Sequence, residues 1–193
     1  MPSATRRTGP GRPRDPRLDQ AILATAERQL RERGYALMSF ESVAAAAGTT
    51  VPSLRRRYRD KAALAAAVVD SLRVDPLPAE PTAPREAALA LLENFRRNLA
   101  RPHSLALLGS LLSEEERSPE LIERFRERLV GPRRARLGVA LKRGVEHGDI
   151  SPQTDIDAAA SMLIGSFYAR YISHGSIPRN WPSRVLSQLW PPK

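Results

Sequence analysis

The sequence predicts an all-α fold, and three observations lead to that class. Alanine and leucine dominate the hydrophobic residues, valine and isoleucine are sparse, and only 5% of the 193 residues are aromatic. This composition favours helices over strands. No stretch keeps the alternation of apolar and polar residues that is typical of a strand. Apolar residues instead recur three and four positions apart, between residues that commonly begin and end helices.

The first predicted helix begins at a capping residue, Asp15, with Pro16 in its first position, and it ends at Gly34. Two short helices follow. The second begins at Ser39 and ends at a glycine, and the third begins at Thr50, which can cap it. Small alanines in the second helix allow the two to pack closely at a steep angle.

The third helix is predicted to have one buried side and one cationic side. Leu54 and Tyr58, four residues apart, form its inner row. A helical wheel places small or cationic residues on the opposite side and on the flanks, where we expect them to be exposed: Pro52, Ser53, Arg55, Arg56 and Arg57. A helix of this shape suits the DNA major groove, with its first residues at base edges and its arginines at phosphates.

The rest of the chain is predicted to be helical apart from a proline-rich loop at residues 74–84. Asp60 can cap a fourth helix, and a kink is expected at Gly131 and Pro132. Thr154 is the expected cap of the helix that Gly175 ends. The later predicted helices span residues 85–100, 104–113, 119–147, 155–174 and 182–190.

Positive charge is concentrated in the first third of the chain. The net charge is +10, of which residues 1–64 carry +7 and residues 65–193 carry +3. This distribution indicates a polyanionic partner, although an arginine-rich coding bias could also raise the charge. Residues 1–15 are rich in proline and arginine and predict a flexible basic arm. Its GRPR segment, residues 11–14, suits either a minor-groove arm or a solubilising tail.

Several classes of function are not supported by the residues. The chain has no cysteine, which excludes disulfides, thiolate metal sites and thiol nucleophiles. The three histidines have no metal-ligand spacing, and no phosphate loop, serine elbow or paired-carboxylate motif occurs. We therefore predict no enzyme, metal or cofactor. No apolar run approaches about 20 residues, so we predict a cytoplasmic protein without a membrane partner.

Residues 22–64 resemble the TetR-like transcriptional regulators. The resemblance rests on ATAERQLRERGY, on SFESVAAAAGTTVPSLRRRY and on the closing DKAAL. It implies a dimeric DNA-binding repressor or activator whose helix-turn-helix spans residues 39–58. The implied organisation is a basic arm at residues 1–15, a three-helix helix-turn-helix DNA-binding domain at residues 16–76, and a helical-bundle regulatory and dimerisation domain at residues 77–193.

Carried over by position, Thr50 and Ser53 are expected to contact phosphate or bases, and Lys61 phosphate. Arg55 replaces a tyrosine that usually contacts phosphate, and Gln29 occupies a position that is usually apolar, where we expect partial exposure. The complete predicted DNA-binding set is Ser39, Thr50, Pro52, Ser53, Arg55, Arg56, Arg57, Tyr58 and Lys61. The predicted partner is double-stranded DNA with a pseudo-palindromic operator.

The second half resembles the family's regulatory domain only loosely. The helix at residues 155–174 is apolar on more than one face, which predicts a homodimer interface, or a helix sandwiched within its own domain. Four residues are expected in the core rather than in a ligand pocket: Phe95, Phe125, Met162 and Phe167. The predicted function is a sequence-specific repressor released by a small-molecule inducer. The alternative is an interaction protein or small enzyme that keeps the helix-turn-helix as a scaffold.

Overall fold

The computed structural model describes residues 15–79 and 83–190, and the all-α prediction is confirmed. Residues 1–14, which include GRPR, lie outside the described residues. No strand occurs within the described ranges, and none of the helices there is long and apolar enough to cross a bilayer. The helices are α1 (Pro16–Leu37), α2 (Phe40–Ala46), α3 (Val51–Arg55), α4 (Lys61–Ser71), α5 (Pro84–Leu99), α6 (Ser104–Leu112), α7 (Pro119–Phe125), α8 (Gly131–Glu146), α9 (Ile156–His174) and α10 (Trp181–Leu189).

The predicted helix caps are confirmed in the first four helices. Asp15, Ser39, Thr50 and Asp60 each accept a hydrogen bond from a backbone N–H in the first turn of the helix that follows. The Thr154 prediction is wrong, because α9 begins one residue later than the pattern indicated. Asp155 is the cap, and its Oδ1 accepts from two backbone N–H groups at 2.9 and 3.0 Å.

Gly34 kinks α1 instead of ending it. Its φ of 79° and ψ of 169° lie outside the helical region, and the chain then makes one more turn to Leu37. A positive φ of this size favours glycine. The kink leaves the backbone N–H of Tyr35 without a helical acceptor, and Ser110 Oγ of α6 accepts from it at 2.7 Å. A buried side chain of α6 therefore stabilises the bend that leads into α2.

A π-helical turn, Arg126–Val130, separates α7 from α8. The predicted break at Gly131 and Pro132 therefore lies one turn earlier than expected. Pro132 has no N–H, and its ring would meet the carbonyl four residues before it in a regular helix. Widening the preceding turn relieves this conflict, because the Gly131 N–H then donates to Arg126 O, five residues back.

Buried side chains form two clusters. The first contains side chains of the four helices α1, α2, α3 and α4. It also contains residues of α6, α7 and the π turn, including Leu107, Leu121 and Leu129. The second joins α5, α8, α9 and α10 around Phe167, Trp181 and other buried side chains. The helices that carry the helix-turn-helix therefore share their core with two helices from the second half of the chain.

Residues 72–79, the linker, follow α4 in the described part of its connection to α5, and side chains of α5 and α8 bind this linker. Asn98 Oδ1 accepts from the Asp75 backbone N–H at 2.7 Å, and Asn94 Nδ2 donates to Pro76 O at 2.8 Å. Arg133 Nη2 of α8 donates to Asp75 O at 3.1 Å. Backbone groups of Asp75 and Pro76 are therefore hydrogen-bonded to side chains of α5 and α8.

A cavity of about 120 Å³ lies where the two clusters meet, beside this linker. Phe125 packs against the first cluster and Phe95 against the second, as expected of core residues, and both also line this cavity. Phe167 is buried in the second cluster as expected, whereas Met162 is 75% exposed on α9. Spacing along a helix could not separate these cases, because the cavity forms between helices that are distant in sequence.

We expect Gly144→Ala to lower the free energy of unfolding by about 1–3 kcal/mol, because it overpacks the second cluster. In an exposed helix, alanine would instead be favoured over glycine by about 0.5–1 kcal/mol. Here the new Cβ would lie 2.6 Å from Trp190 Cη2 and 2.8 Å from Ile150 Cδ1. Urea unfolding of both proteins measures the difference.

Gly138→Ala is the matched control, since it lies in the same helix and makes the same change. Its Cβ would lie at ordinary contact distance, 3.8 Å from Ile156 Cγ2. We expect this variant to be as stable as the parent protein or slightly more stable. Equal effects of the two substitutions would contradict the close packing of Trp190 on α8.

Candidate nucleic-acid interface

The start of α2 is fixed by a reciprocal pair of hydrogen bonds. The Ser42 backbone N–H donates to Ser39 Oγ, and the Ser39 backbone N–H donates to Ser42 Oγ, both at 3.1 Å. This capping box satisfies two backbone donors that a helix otherwise leaves without acceptors. Ser39 is partly buried, and its hydroxyl is part of the cap.

Gln29 of α1 is buried rather than partly exposed, so that expectation is wrong. Only 6% of the residue is accessible, and its Oε1 accepts a hydrogen bond from Ser42 Oγ at 2.7 Å. A buried amide needs such a partner. Gln29 thus links α1 to the capping box of α2, which explains a polar residue at a usually apolar position.

The turn between α2 and α3 depends on one glycine. Gly48 has a φ of 65°, and the Thr49 N–H donates to Ala44 O at 2.9 Å, which closes the end of α2. Thr50 Oγ1 then accepts from the Ser53 N–H at 3.3 Å and caps α3. Ala44 is buried, so the two short helices approach closely through a side chain of minimal size.

Four of the nine predicted DNA-binding residues are exposed: Thr50, Pro52, Arg55 and Arg56. They occupy the first turn and the end of α3, whereas Leu54 between them is fully buried. The guanidinium of Arg55 lies 6.0 Å from the centre of the Phe40 ring, which holds it beside α2. This arrangement leaves Thr50, Pro52 and the two arginines exposed along α3 and at its two caps.

Ser53 and Arg57 are positioned differently from the prediction. Ser53 is 7% accessible and is not on the outer side of α3. Its Oγ accepts from Arg57 Nη1 at 2.8 Å, and Arg57 Nε lies 2.5 Å from Asp19 Oδ1 of α1. The wheel assumed a regular helix, but α3 ends at Arg55, so the following residues turn back toward α1. Arg57 therefore joins α3 to α1.

Tyr58 and Lys61 are partly buried. Tyr58 packs against the first cluster, as its place in the inner row predicted. Lys61 Nζ donates to Tyr35 O at 3.0 Å and lies 4.2 Å from the centre of the Tyr35 ring. Burial raises the pKa of the Tyr35 hydroxyl, so this ring stays neutral under the cation. Lys61 thus joins α4 to the end of α1.

Arg59 is a cation at this surface that the sequence interpretation did not include. Its side chain is 87% exposed, and its Nε lies 2.8 Å from Asp60 Oδ2. The Asp60 pKa is lowered, first by the hydrogen bond from the Ala63 N–H and then by Arg59. Because Arg59 continues the run RRRYR, the same charge pattern that selected the three preceding arginines could have identified it.

We expect Asp19→Asn to lower the free energy of unfolding by about 1 kcal/mol. This loss lies between the loss typical of an exposed ion pair and the larger loss typical of a buried one. The side chains of Asp19 and Arg57 are 32% and 12% exposed, so the solvent screens their attraction only in part. Chemical denaturation measures the loss. Asp157→Asn is the matched control, because Asp157 also pairs with an arginine but is 84% exposed. An equal loss in both variants would contradict a special role of Asp19.

These features define a helix-turn-helix DNA-binding regulator. The second helix of its motif, α3, is short, exposed and cationic and is supported by a three-helix core, and a helical second half follows. Residues 22–68 match the family described as bacterial regulatory proteins, tetR family. Residues 82–189 match the tetracyclin repressor-like C-terminal domain. The chain belongs to the TetR family of helix-turn-helix transcriptional regulators, whose members bind DNA, typically as dimers.

Relatives and solved structures agree with this assignment. The chain is 30% identical over 186 residues to the HTH-type transcriptional regulator Rv1556 of Mycobacterium tuberculosis, covering 96% of this chain and 88% of that protein. It is 25% identical over 168 residues to the regulator YdeS of Bacillus subtilis, covering 86% and 83%. The solved structure of MexZ, a repressor of Pseudomonas aeruginosa, has a TM-score of 0.68 at 21% identity, covering 90% and 93%, and supports the fold.

Proposed function

We propose that this chain is a homodimeric repressor that binds a pseudo-palindromic operator and is released from it by a small-molecule inducer. The observation that carries the proposal is the uncovered end of α3, where Thr50, Pro52, Arg55 and Arg56 are exposed while Leu54 is buried. Such a helix can enter a major groove without any rearrangement of its own core. Chromosomal DNA as the target implies a cytoplasmic protein.

The exposed residues suggest separate roles at the DNA. Thr50 and Pro52 lie at the start of α3, the part of a recognition helix that meets base edges. Arg55, Arg56 and Arg59 are cations suited to phosphates or to guanine. Buried groups would act indirectly, because Ser53 and Arg57 fix the angle of α3 on α1. We propose residues 16–76 as the DNA-binding part and residues 77–193 as the regulatory part.

A homodimer is supported by the surface of α9. Met162 and Ile172 of α9 are 75% and 83% exposed. Val185 and Leu189 of α10 line a groove beside Met162. Exposed apolar residues grouped on one face indicate an interaction surface, and a second copy of the chain would pair α9 and α10 around a two-fold axis. Half-sites would then lie about one helical turn, ~34 Å, apart.

An inducer-binding role is supported by the cavity beside the linker. Its lining comes from both clusters, so a ligand there would contact the helices that carry α3 and also the second half. An inducer weakens operator binding only if it has different affinities for the DNA-bound and the free conformations. The position of the cavity makes such a difference physically reasonable.

A mobility-shift assay with the DNA that flanks the chain's own coding region tests the DNA-binding part of the proposal. We expect specific binding that weakens steeply with salt, with a log–log slope of about −0.9 for each phosphate neutralised. Unrelated DNA of equal length is the control. Absent or salt-insensitive binding would contradict the proposal and favour an interaction protein or small enzyme that keeps the helix-turn-helix as a scaffold.

A further inference from the structure

The cavity beside the linker is lined mainly by apolar side chains and also by arginines. Aromatic and aliphatic side chains form most of its lining, and they include Phe95, Phe125 and Leu107. Its volume of about 120 Å³ is comparable with that of an engineered apolar cavity of about 150 Å³ that binds benzene. A ligand body of about one ring, or a short branched chain, would therefore fill it.

The charged residues in the lining all carry positive charge: Arg31, Arg73, Arg101 and Arg133. Two of them already have carboxylate partners outside the cavity. Arg31 pairs with Glu27 on α1, and Arg101 pairs with Asp75. Arg73 and Arg133 have no carboxylate within ion-pairing distance among residues 15–79 and 83–190. Two cations at the cavity are therefore not neutralised by an ion pair in the described parts of the chain.

Arg133 is the more strongly desolvated of these two arginines. It is partly buried, and its two described hydrogen bonds go to neutral acceptors, Leu129 O at 2.9 Å and Asp75 O at 3.1 Å. Burial lowers the pKa of its guanidinium, and Asp75 opposes this effect. A desolvated guanidinium gains more from an anion than an exposed one does, because the surrounding medium screens the attraction less.

Tyr168 also lines the cavity, and its side chain carries a hydroxyl group. Its ring packs edge-to-face on Phe95, with centroids 6.0 Å apart, so the side chain is held in place. Burial raises the pKa of Tyr168, and the hydroxyl stays protonated and able to donate. In the described part of the chain it has no hydrogen-bond partner. A guanidinium can only donate and a carboxylate can only accept, so these polar groups together suit an acid.

We propose that the ligand of this cavity is a small organic acid with an apolar body, whose carboxylate binds Arg133 and, at the mouth of the cavity, Arg73. The inference rests on the proposed inducer-released function and assigns a ligand class to it. The acid would compete with Asp75 O for the guanidinium of Arg133, and this bond holds the linker between α4 and α5. Binding would thereby loosen the segment that connects the DNA-binding helices to the second half.

Calorimetry with the full chain tests this inference through two isosteric ligand series. One series is benzoate, benzamide and benzylamine, and the other is 4-methylpentanoate with its amide and its amine. We expect at least one carboxylate to bind about tenfold or more tightly than its amide, since charge-assisted hydrogen bonds are about twice as strong as neutral ones. Acetate, which lacks the apolar body, should not bind. Equal or tighter binding of the amides or amines, or no binding in either series, would overturn the inference.

Variants locate the site. Arg133→Met should remove the preference for the carboxylate, and Arg136→Met, with the same charge change on the same helix but outside the cavity lining, should keep it. If Arg133→Met does not fold, Tyr168→Phe keeps the ring and should weaken carboxylate binding about threefold to tenfold. Unchanged carboxylate binding in the folded cavity variants would overturn the inference, because the acid would then bind elsewhere.

The same protein preparation separates this inference from the proposed function. Operator binding is measured first without any acid, and then with the carboxylate that binds. Carboxylate binding without any operator binding would contradict the proposed function and leave the ligand class standing. Operator binding that benzamide or benzylamine releases as well as benzoate does would overturn the ligand class and leave the repressor proposal standing.

Discussion

We expect the double variant Arg55→Ala/Arg56→Ala to bind the operator about 100-fold more weakly or worse at physiological salt, because each arginine contributes about 1–3 kcal/mol at a DNA surface. Both side chains are exposed at the end of α3 and neither forms an ion pair among the described residues. The log–log salt slope should fall by about 0.9 for each phosphate contact that is lost. Mobility shift or fluorescence anisotropy at several salt concentrations measures both quantities.

The fold should remain intact in this variant, since only the contact of Arg55 with the Phe40 ring is removed, a loss of about 0.5–1 kcal/mol. Circular dichroism and urea unfolding check this. Arg117→Ala/Arg136→Ala is the matched control, because it removes the same charge at positions outside the helix-turn-helix. Equal losses of affinity in the two double variants would mean that general positive charge, rather than α3, binds the DNA.

Met162→Glu/Ile172→Glu should convert the homodimer into a monomer, with a rise of about 100-fold or more in the dimer dissociation constant. Burying unpaired carboxylates in an apolar interface costs several kcal/mol each, and symmetry places four of them there. Both residues are exposed in the single chain, so the monomer should keep its fold. Analytical ultracentrifugation measures the mass of the particle over a range of concentrations.

Operator binding should weaken in the same variant, because a monomer can occupy only one half-site at a time. Leu112→Glu/Val139→Glu is the matched control, since these apolar residues are about half exposed but lie on α6 and α8. This control should stay dimeric. A Met162→Glu/Ile172→Glu protein that still sediments as a dimer would place the interface on another face.

Local signals in the sequence were sufficient for most of the helix boundaries. Capping residues followed by helical spacing identified Asp15, Ser39, Thr50 and Asp60 correctly, because a cap is an interaction within four residues. The error at Thr154 has the same origin. Threonine and aspartate both cap helices, and only the three-dimensional structure shows that Asp155 accepts the first backbone donors.

Interactions between distant segments could not be predicted in the same way. The exposure of Ser53 and Arg57 was inferred from a regular wheel. The helix α3 ends at Arg55, however, and Arg57 binds both Ser53 and Asp19, which lies 38 residues before Arg57. The burial of Gln29 could not be predicted for the same reason, because its hydrogen-bond partner, Ser42, lies on another helix. The residues that line the cavity could not be predicted, because they come from α1, α5 to α9 and the linker. Residues that serve a site through tertiary contacts leave no periodic signal.

The packing of α6 and α7 in the first cluster affects how this protein unfolds. A fragment restricted to residues 16–76 would lack Leu107, Leu121 and the hydroxyl of Ser110 that satisfies the bend at Tyr35. Apolar surface on α1 and α4 would then face water, and the fragment would be less stable than the same residues in the whole chain. Thermal unfolding is therefore expected to be cooperative across the 76/77 junction. Residues 16–76 would carry the DNA-contacting surface, but they would depend on the rest of the chain for a stable fold.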